Sequence, residues 1–118
     1  MSFDFQNLEV YKKAKTFHIC CKHLIETYKL PSYTNNQLGR ASLSIALNIA
    51  EGAGKFSKPD RRNFYVTARA SVYECVAIID ILHDEGIISN EVFNDHLKMS
   101  DELSRILYAM IKNLTSPQ

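Results

Sequence analysis

Residues 37 to 52 decide the fold: Gln37-Leu38-Gly39-Arg40-Ala41-Ser42-Leu43-Ser44-Ile45-Ala46-Leu47-Asn48-Ile49-Ala50-Glu51-Gly52. The stretch has the composition of a long helix and carries only two charged side chains, Arg40 and Glu51. At steps of three and four, Leu38, Ala41, Ser42, Ile45, Ile49 and Gly52 share one apolar or small-residue face, while Leu43, Leu47, Ala50 and Gly54 share a second. Gln37, Arg40, Ser44, Asn48 and Glu51 form a narrow polar seam between them. A helix so poor in charge does not lie on the surface of a small monomer. One face is expected inside a helical bundle, and the other against more protein, either the bundle itself or a neighbouring subunit.

The rest of the chain supports a bundle. Its 118 residues fit one domain, residues 1–118, large enough for a core but small enough that surface competes with interior. With 46% hydrophobic and 23% charged residues, and only 4 Gly and 3 Pro, helices are expected to dominate a soluble protein. No apolar run approaches the roughly 18 residues of a membrane span, and the N-terminus lacks the apolar core of a signal peptide. The expected location is the cytoplasm, with no membrane partner. Cys20, Cys21 and Cys75 form neither a CxxC pair nor a disulfide framework, so they are expected as small packing residues.

Net charge is +1, but its distribution is uneven: residues 1–69 hold 11 Lys and Arg against 5 Asp and Glu, and residues 70–118 hold 3 against 8. Such polarity either pairs antiparallel helices or steers partners.

Four helices follow in order. The first is expected from about Gln6 to Tyr28, burying Val10, Ala14, Phe17, Cys21, Leu24 and Tyr28 opposite Lys12, Lys15, Ile19, Lys22, Glu26 and Lys29. Pro31 to Asn36 has the composition of a connecting loop with capping residues, and the second helix runs on to Gly52 or Gly54, where glycine suits a left-handed terminus. Ser57 is the expected N-cap of the third helix, with Pro59 in its first turn and Gly86 as its stop. This helix is expected to present Phe64, Ala68, Ser71, Cys75, Ile78 and Leu82 on one face, with Tyr65, Val72, Val76 and Ile79 beside it. Ser89 opens the fourth, whose Phe93, Leu97, Ser100, Leu103, Leu107, Met110 and Leu114 recur at nearly heptad spacing. Long helices with short links predict an all-α, antiparallel up-down-up-down four-helix bundle.

Three segments resemble a known family. Phe5-Gln6-Asn7-Leu8-Glu9-Val10-Tyr11-Lys12-Lys13-Ala14, the Gln37–Gly52 stretch, and Phe64-Tyr65-Val66-Thr67-Ala68-Arg69-Ala70-Ser71-Val72-Tyr73-Glu74 are similar to the signatures of the bacterial intervening-sequence-encoded, S23-type four-helix-bundle proteins. That family was first associated with insertions in large-subunit ribosomal RNA genes. Ala46 stands where the family often has proline, which predicts a straighter second helix, and Ala70 where it often has glycine. The resemblance implies a homopentameric barrel of four-helix protomers. It also extends to the accessory variability determinant of diversity-generating retroelements, which acts with a reverse transcriptase and binds nucleic acid. A reverse transcriptase or other protein is thus an implied partner, although most family members lack an assigned activity.

Enzymatic motifs are absent: there is no P-loop, dinucleotide glycine fingerprint, HExxH or glycine-flanked nucleophilic serine, so no catalytic residues and no cofactor are expected. His18 and His23 face different sides of a helix, and His83 and His96 flank a turn without carboxylates at ligand spacing. Glu51 and Glu74 could meet across the second and third helices, yet the Glu-x-x-His pattern of di-iron bundles is missing, so no metal site is expected. Arg40, Asn48, Glu51, Ser71 and Glu74 are better explained as a polar network within the bundle or between subunits. Arg40 and Glu51, three turns apart, cannot bond to each other within one helix and each needs another partner.

The candidate nucleic-acid contacts are Lys12, Lys15 and Lys22 on the first helix, with Lys55, Lys58, Arg61, Arg62 and Arg69 around the turn into the third, where Phe56, Phe64 and Tyr65 are interleaved. A plainer explanation is that these charges solubilise helix surfaces. The expected function is a non-enzymatic oligomeric bundle protein that binds RNA or DNA backbone electrostatically. The alternative is a protein-interaction scaffold without nucleic acid, docking a partner through its acidic second half.

Overall fold

The computed structural model describes residues 1–115. These form a short 3₁₀ turn at Asp4–Asn7 and four α-helices: α1 (Glu9–Thr27), α2 (Ser32–Ala53), α3 (Lys58–Asp84) and α4 (Asn90–Asn113). Each helix packs on its sequence neighbours and α4 closes onto α1, while the backbones of the diagonal pairs α1/α3 and α2/α4 stay apart across the core. This is the up-down-up-down bundle that the long periodic segments and short links require. No helix among the described residues is long and apolar enough to cross a membrane.

The apolar stripes meet along the bundle axis. Val10, Ala14, Phe17, Cys21 and Leu24 from α1 join Leu38, Ala41, Ile45 and Ile49 from α2, and Ala68, Val72, Cys75, Ile79 and Leu82 from α3. From α4, Leu103 and Leu107 are fully buried, with Phe93, Met110 and Leu114 packed at the margin. Tyr28, expected in the core, ends half-buried. On α3, Ala68, Ser71, Cys75 and Leu82 are buried as expected, together with Tyr65, Val72 and Ile79 beside them, while Phe64 and Ile78 are only half-buried. His96, on α4, is a core residue beside Phe17.

Local chemistry sets the helix ends, not always as the sequence predicts. Leu8 is extended and separates the 3₁₀ turn from α1, so the first helix starts at Glu9 and not Gln6. Pro31 serves as the N-cap of α2, and Ser32 to Asn36, expected as a loop, form its opening turns. Proline's fixed φ suits that cap, and its carbonyl accepts from the Thr34 and Asn35 amides at 3.0 and 3.1 Å. Ser57 and Ser89 cap α3 and α4 as expected, accepting from the Asp60 and Val92 amides at 3.2 Å each.

Gly86 closes α3 with φ 74°: its amide donates to the His83 carbonyl and that of Ile87 to the Leu82 carbonyl, both at 3.0 Å, the paired bonds of a Schellman motif. The end of α2 differs. Gly54 is right-handed at φ −84°, and Gly52 lies inside the helix. Its lack of a side chain serves packing, since a Cβ there would stand 2.7 Å from Tyr65 Cε1 and 2.9 Å from Phe64 Cβ.

Candidate nucleic-acid interface and polar cleft

The antiparallel register of α2 and α3 joins part of the polar seam. Ser44 and Ser71 share a hydrogen bond between hydroxyls at 3.0 Å, and Asn48 Nδ2 donates to the Ser44 carbonyl and hydroxyl at 2.8 and 2.9 Å. One step along, Gln37 Nε2 donates to Glu74 Oε2 at 2.8 Å. Gln37, Arg40, Ala41, Ser44, Ser71 and Glu74 line a shallow cleft of about 340 Å³.

Arg40 and Glu51 do not complete this network. Both are exposed, and the ion pairs of the described residues, Lys12–Glu9, Lys13–Glu102 and Arg105–Asp101, involve neither. Glu51 and Glu74 are not brought together: Glu74 is level with Gln37, which lies fourteen residues before Glu51, about 20 Å along α2 at 1.5 Å per residue. Spacing in the sequence places both carboxylates on compatible faces, but only the register sets their height.

The basic residues separate into groups. Lys12, Lys15 and Lys22 are exposed on α1, with Lys12 near Glu9 and Lys15 over the Tyr11 ring at 5.1 Å. Lys55, Lys58, Arg61 and Arg62 all lie within six residues of Phe56 in the chain, at the α2–α3 end of the bundle, and Phe56 is 102% exposed. Some of their donors hold the fold: Arg61 Nε donates to the Lys55 carbonyl at 2.6 Å, Arg62 Nε to Thr115 Oγ1 at 3.2 Å, and Lys55 lies 5.2 Å over the Phe64 ring. Each guanidinium keeps further donors for a ligand.

Arg69 stands apart from that cluster, more than a helical turn beyond Arg62 on α3. Its Nε donates to the Ser104 carbonyl and its Nη2 to the Tyr73 hydroxyl, both at 3.2 Å, and its charge lies over the Tyr73 and Tyr108 rings. The acidic residues Asp80, Asp84, Glu85 and Glu91 collect around the other end of α3, one helix length away. The charge asymmetry along the sequence thus becomes, in part, an asymmetry between the two ends of the bundle.

His18, His96, Cys21 and Cys75 take packing roles, while His23 is exposed. His18 Nδ1 lies 2.8 Å from the buried Ser42 hydroxyl, which donates onward to the Gly39 carbonyl at 3.3 Å. Burial, then the nearby Lys22 charge, pushes the His18 pKa down. Cys21 and Cys75 are fully buried, and burial pushes the Cys75 thiol up to about 12 and Cys21 up as well. No group of three or more His, Cys, Asp or Glu among the described residues could hold a metal ion.

The fold and these surfaces define a class: an all-α four-helix bundle with an uncovered apolar face on α2 and a basic end. The family model for the 23S rRNA-intervening sequence protein matches residues 6–109, and the chain belongs to that family. A crystal structure of a protein of unknown function from the S23 ribosomal protein family of Bacteroides thetaiotaomicron VPI-5482 is similar, with a TM-score of 0.82. The similarity covers 87% of this chain and 98% of that one at 23% sequence identity, a likeness of fold. Comparison with curated proteins finds no match.

Proposed function

We propose that this chain is a non-catalytic, self-assembling bundle protein that binds the backbone and exposed bases of nucleic acid at its α2–α3 end. The observation that carries the binding is Phe56, fully solvent-exposed in the α2–α3 turn with Lys55, Lys58, Arg61 and Arg62 within six residues of it in the chain. An exposed aromatic side chain within a basic cluster is a stacking platform beside phosphate contacts, the pairing used to hold single strands without sequence preference. Assembly would repeat this platform and convert weak contacts into multivalent ones. Self-assembly is supported by Leu43 and Leu47, which the protomer leaves 43% and 51% exposed. The five-membered ring implied by the family resemblance is one such assembly, and the same resemblance suggests a reverse transcriptase as a partner of the bound strand.

Fluorescence anisotropy with labelled single-stranded RNA and DNA, titrated across salt concentration, tests the binding. Affinity is expected to fall steeply with salt, and Phe56→Ala to weaken it about tenfold, since stacking contributes about 1–3 kcal/mol per base. Absence of binding at low salt would eliminate this function. The acidic end favours a second reading, a scaffold for a basic protein partner: Tyr33, Ile78, Ile81 and Ile87 line a groove of about 350 Å³ that also contains Glu85. Capture of one defined protein by nuclease-treated material would favour it.

A further inference from the structure

The groove between α3 and α4 sets Arg69 between two exposed tyrosines. On α3, Arg62, Val66, Arg69 and Tyr73 follow at steps of four, three and four and so share a face. On α4 and just past its end, Ser104, Tyr108, Ile111 and Thr115 do the same. The two faces are turned toward each other. Arg62 Nε donates to Thr115 Oγ1 and Arg69 Nε to the Ser104 carbonyl, both at 3.2 Å, and the Arg69 charge lies 5.5 Å from the Tyr108 ring centroid. Val66, Arg69, Ala70, Tyr73, Tyr108 and Ile111 line the groove there, about 500 Å³ in volume.

Its charge is of one sign. No carboxylate lines this half of the groove, and the ion pairs of the described residues include neither Arg62 nor Arg69. The two arginines are about 10 Å apart along α3, and Lys112 is exposed one turn beyond Tyr108 on α4. Past Tyr73 the groove continues for about 270 Å³ between Val76, Leu97 and Ser104. There the cations give way to Asp101, which pairs with Arg105, and to Asp80, exposed two turns beyond Tyr73 on the same face of α3. An extended anion thus finds partners from the α2–α3 end as far as Tyr73 and none beyond it.

Arg69 is ordered before a ligand arrives. Two of its N–H donors are engaged by Ser104 and by the Tyr73 hydroxyl, and its charge lies 5.0 Å from the Tyr73 ring centroid. Little side-chain freedom is left to lose on binding, and its remaining donors suit phosphate oxygens. Tyr73 and Tyr108 stay 57% and 55% exposed. Tyrosine rings and a guanidinium plane are surfaces on which unpaired bases stack. A duplex keeps its base faces covered, so the combination selects a single strand.

We propose that the α3–α4 groove from Arg62 to Tyr73 is a track for single-stranded nucleic acid, in which Arg62 and Arg69 hold phosphates while Tyr73 and Tyr108 stack bases. The track rests on the nucleic-acid binding proposed above and extends that site about 20 Å along α3 from the α2–α3 turn. It gives Arg69, which stands apart from the Phe56 turn, a place on the same strand.

Fluorescence anisotropy on the full chain at low salt tests it with two labelled probes of equal length, oligo(dT) and an abasic phosphodiester strand, with circular dichroism confirming helicity. Wild type is expected to bind oligo(dT) at least tenfold more tightly, because stacking needs bases. Tyr108→Ala, at an exposed position, is expected to weaken oligo(dT) about tenfold and leave the abasic strand unchanged. Arg69→Lys keeps the charge but removes the planar group; it is expected to act in the same direction and stands in should Tyr108→Ala lose helicity. Arg62→Gln is expected to weaken both strands and flatten the salt dependence. Equal affinity for the two probes, or discrimination untouched by Tyr108→Ala and Arg69→Lys, would overturn the track; discrimination lost only in Phe56→Ala would do so while leaving the site at the α2–α3 turn standing. Light scattering that shows Tyr108→Ala dissociating an oligomer, with strand affinity unchanged, would assign the groove to a second copy and overturn the track too. Failure of every strand to bind would remove the underlying function as well.

Discussion

Two glycines on α2 predict stability changes of opposite sign. Gly52 lies in the last turn with right-handed backbone, so alanine there would ordinarily gain up to about 1 kcal/mol of helix propensity. The added Cβ, however, would stand 2.7 Å from Tyr65 Cε1 and 2.9 Å from Phe64 Cβ. The Tyr65 ring is buried, and Phe64 Cβ is attached to the α3 backbone, so neither can yield without moving a helix. Overpacking of this kind costs about 1–3 kcal/mol. With two contacts under 3.0 Å the upper half of that range applies, and Gly52→Ala is expected to lose about 1–2 kcal/mol net. At Gly39 the same Cβ meets only Ile25 Cδ1 at 3.8 Å, an ordinary contact, so Gly39→Ala is expected to gain about 1 kcal/mol. Thermal unfolding at fixed subunit concentration should place Gly52→Ala about 4–8 °C below wild type and Gly39→Ala a few degrees above it. A Gly52→Ala protein as stable as wild type, or more so, would refute the close α2–α3 approach.

Two further predictions concern titration and reactivity. The folded pKa of His18 is depressed, so the unfolded chain takes up its proton first as pH falls; His18 contributes stability above about pH 6.5 that is lost as pH falls through the lower folded value. Urea unfolding from pH 8 to pH 5 should show that loss in wild type and a smaller one in His18→Gln. Cys21 and Cys75 are buried and Cys20 half-buried, so a thiol reagent at pH 8 should label no more than one thiol per chain before unfolding and three afterwards; rapid labelling of two or more in the native state would contradict the packing.

The bundle was legible in the sequence because helical periodicity is local. Val10 to Leu24, Leu38 to Ile49 and the two serine caps announce their roles through residues three or four positions away, and those roles persist in the structure. The spare face of α2 was equally visible, because Leu43 and Leu47 lie well off the stripe that Ile45 and Ile49 bury. The local pattern misplaced the start of α2 by treating Ser32 to Asn36 as turn residues, which a proline cap extends into helix. It also misjudged Gly52, whose reason is a neighbour thirteen residues on in the chain.

What the sequence alone determined is the number of helices, most of their buried faces and a second apolar stripe on α2 lying off the buried one. Only the tertiary structure decided which polar groups meet. The antiparallel register brought Gln37 to Glu74 and Ser44 to Ser71, and left Glu51 some 20 Å along the helix from the first pair. It also drew Arg69 over both Tyr73 and Tyr108. The physical reason is that a face is fixed by the 100° turn between successive residues, whereas height and partner depend on how whole helices settle against one another.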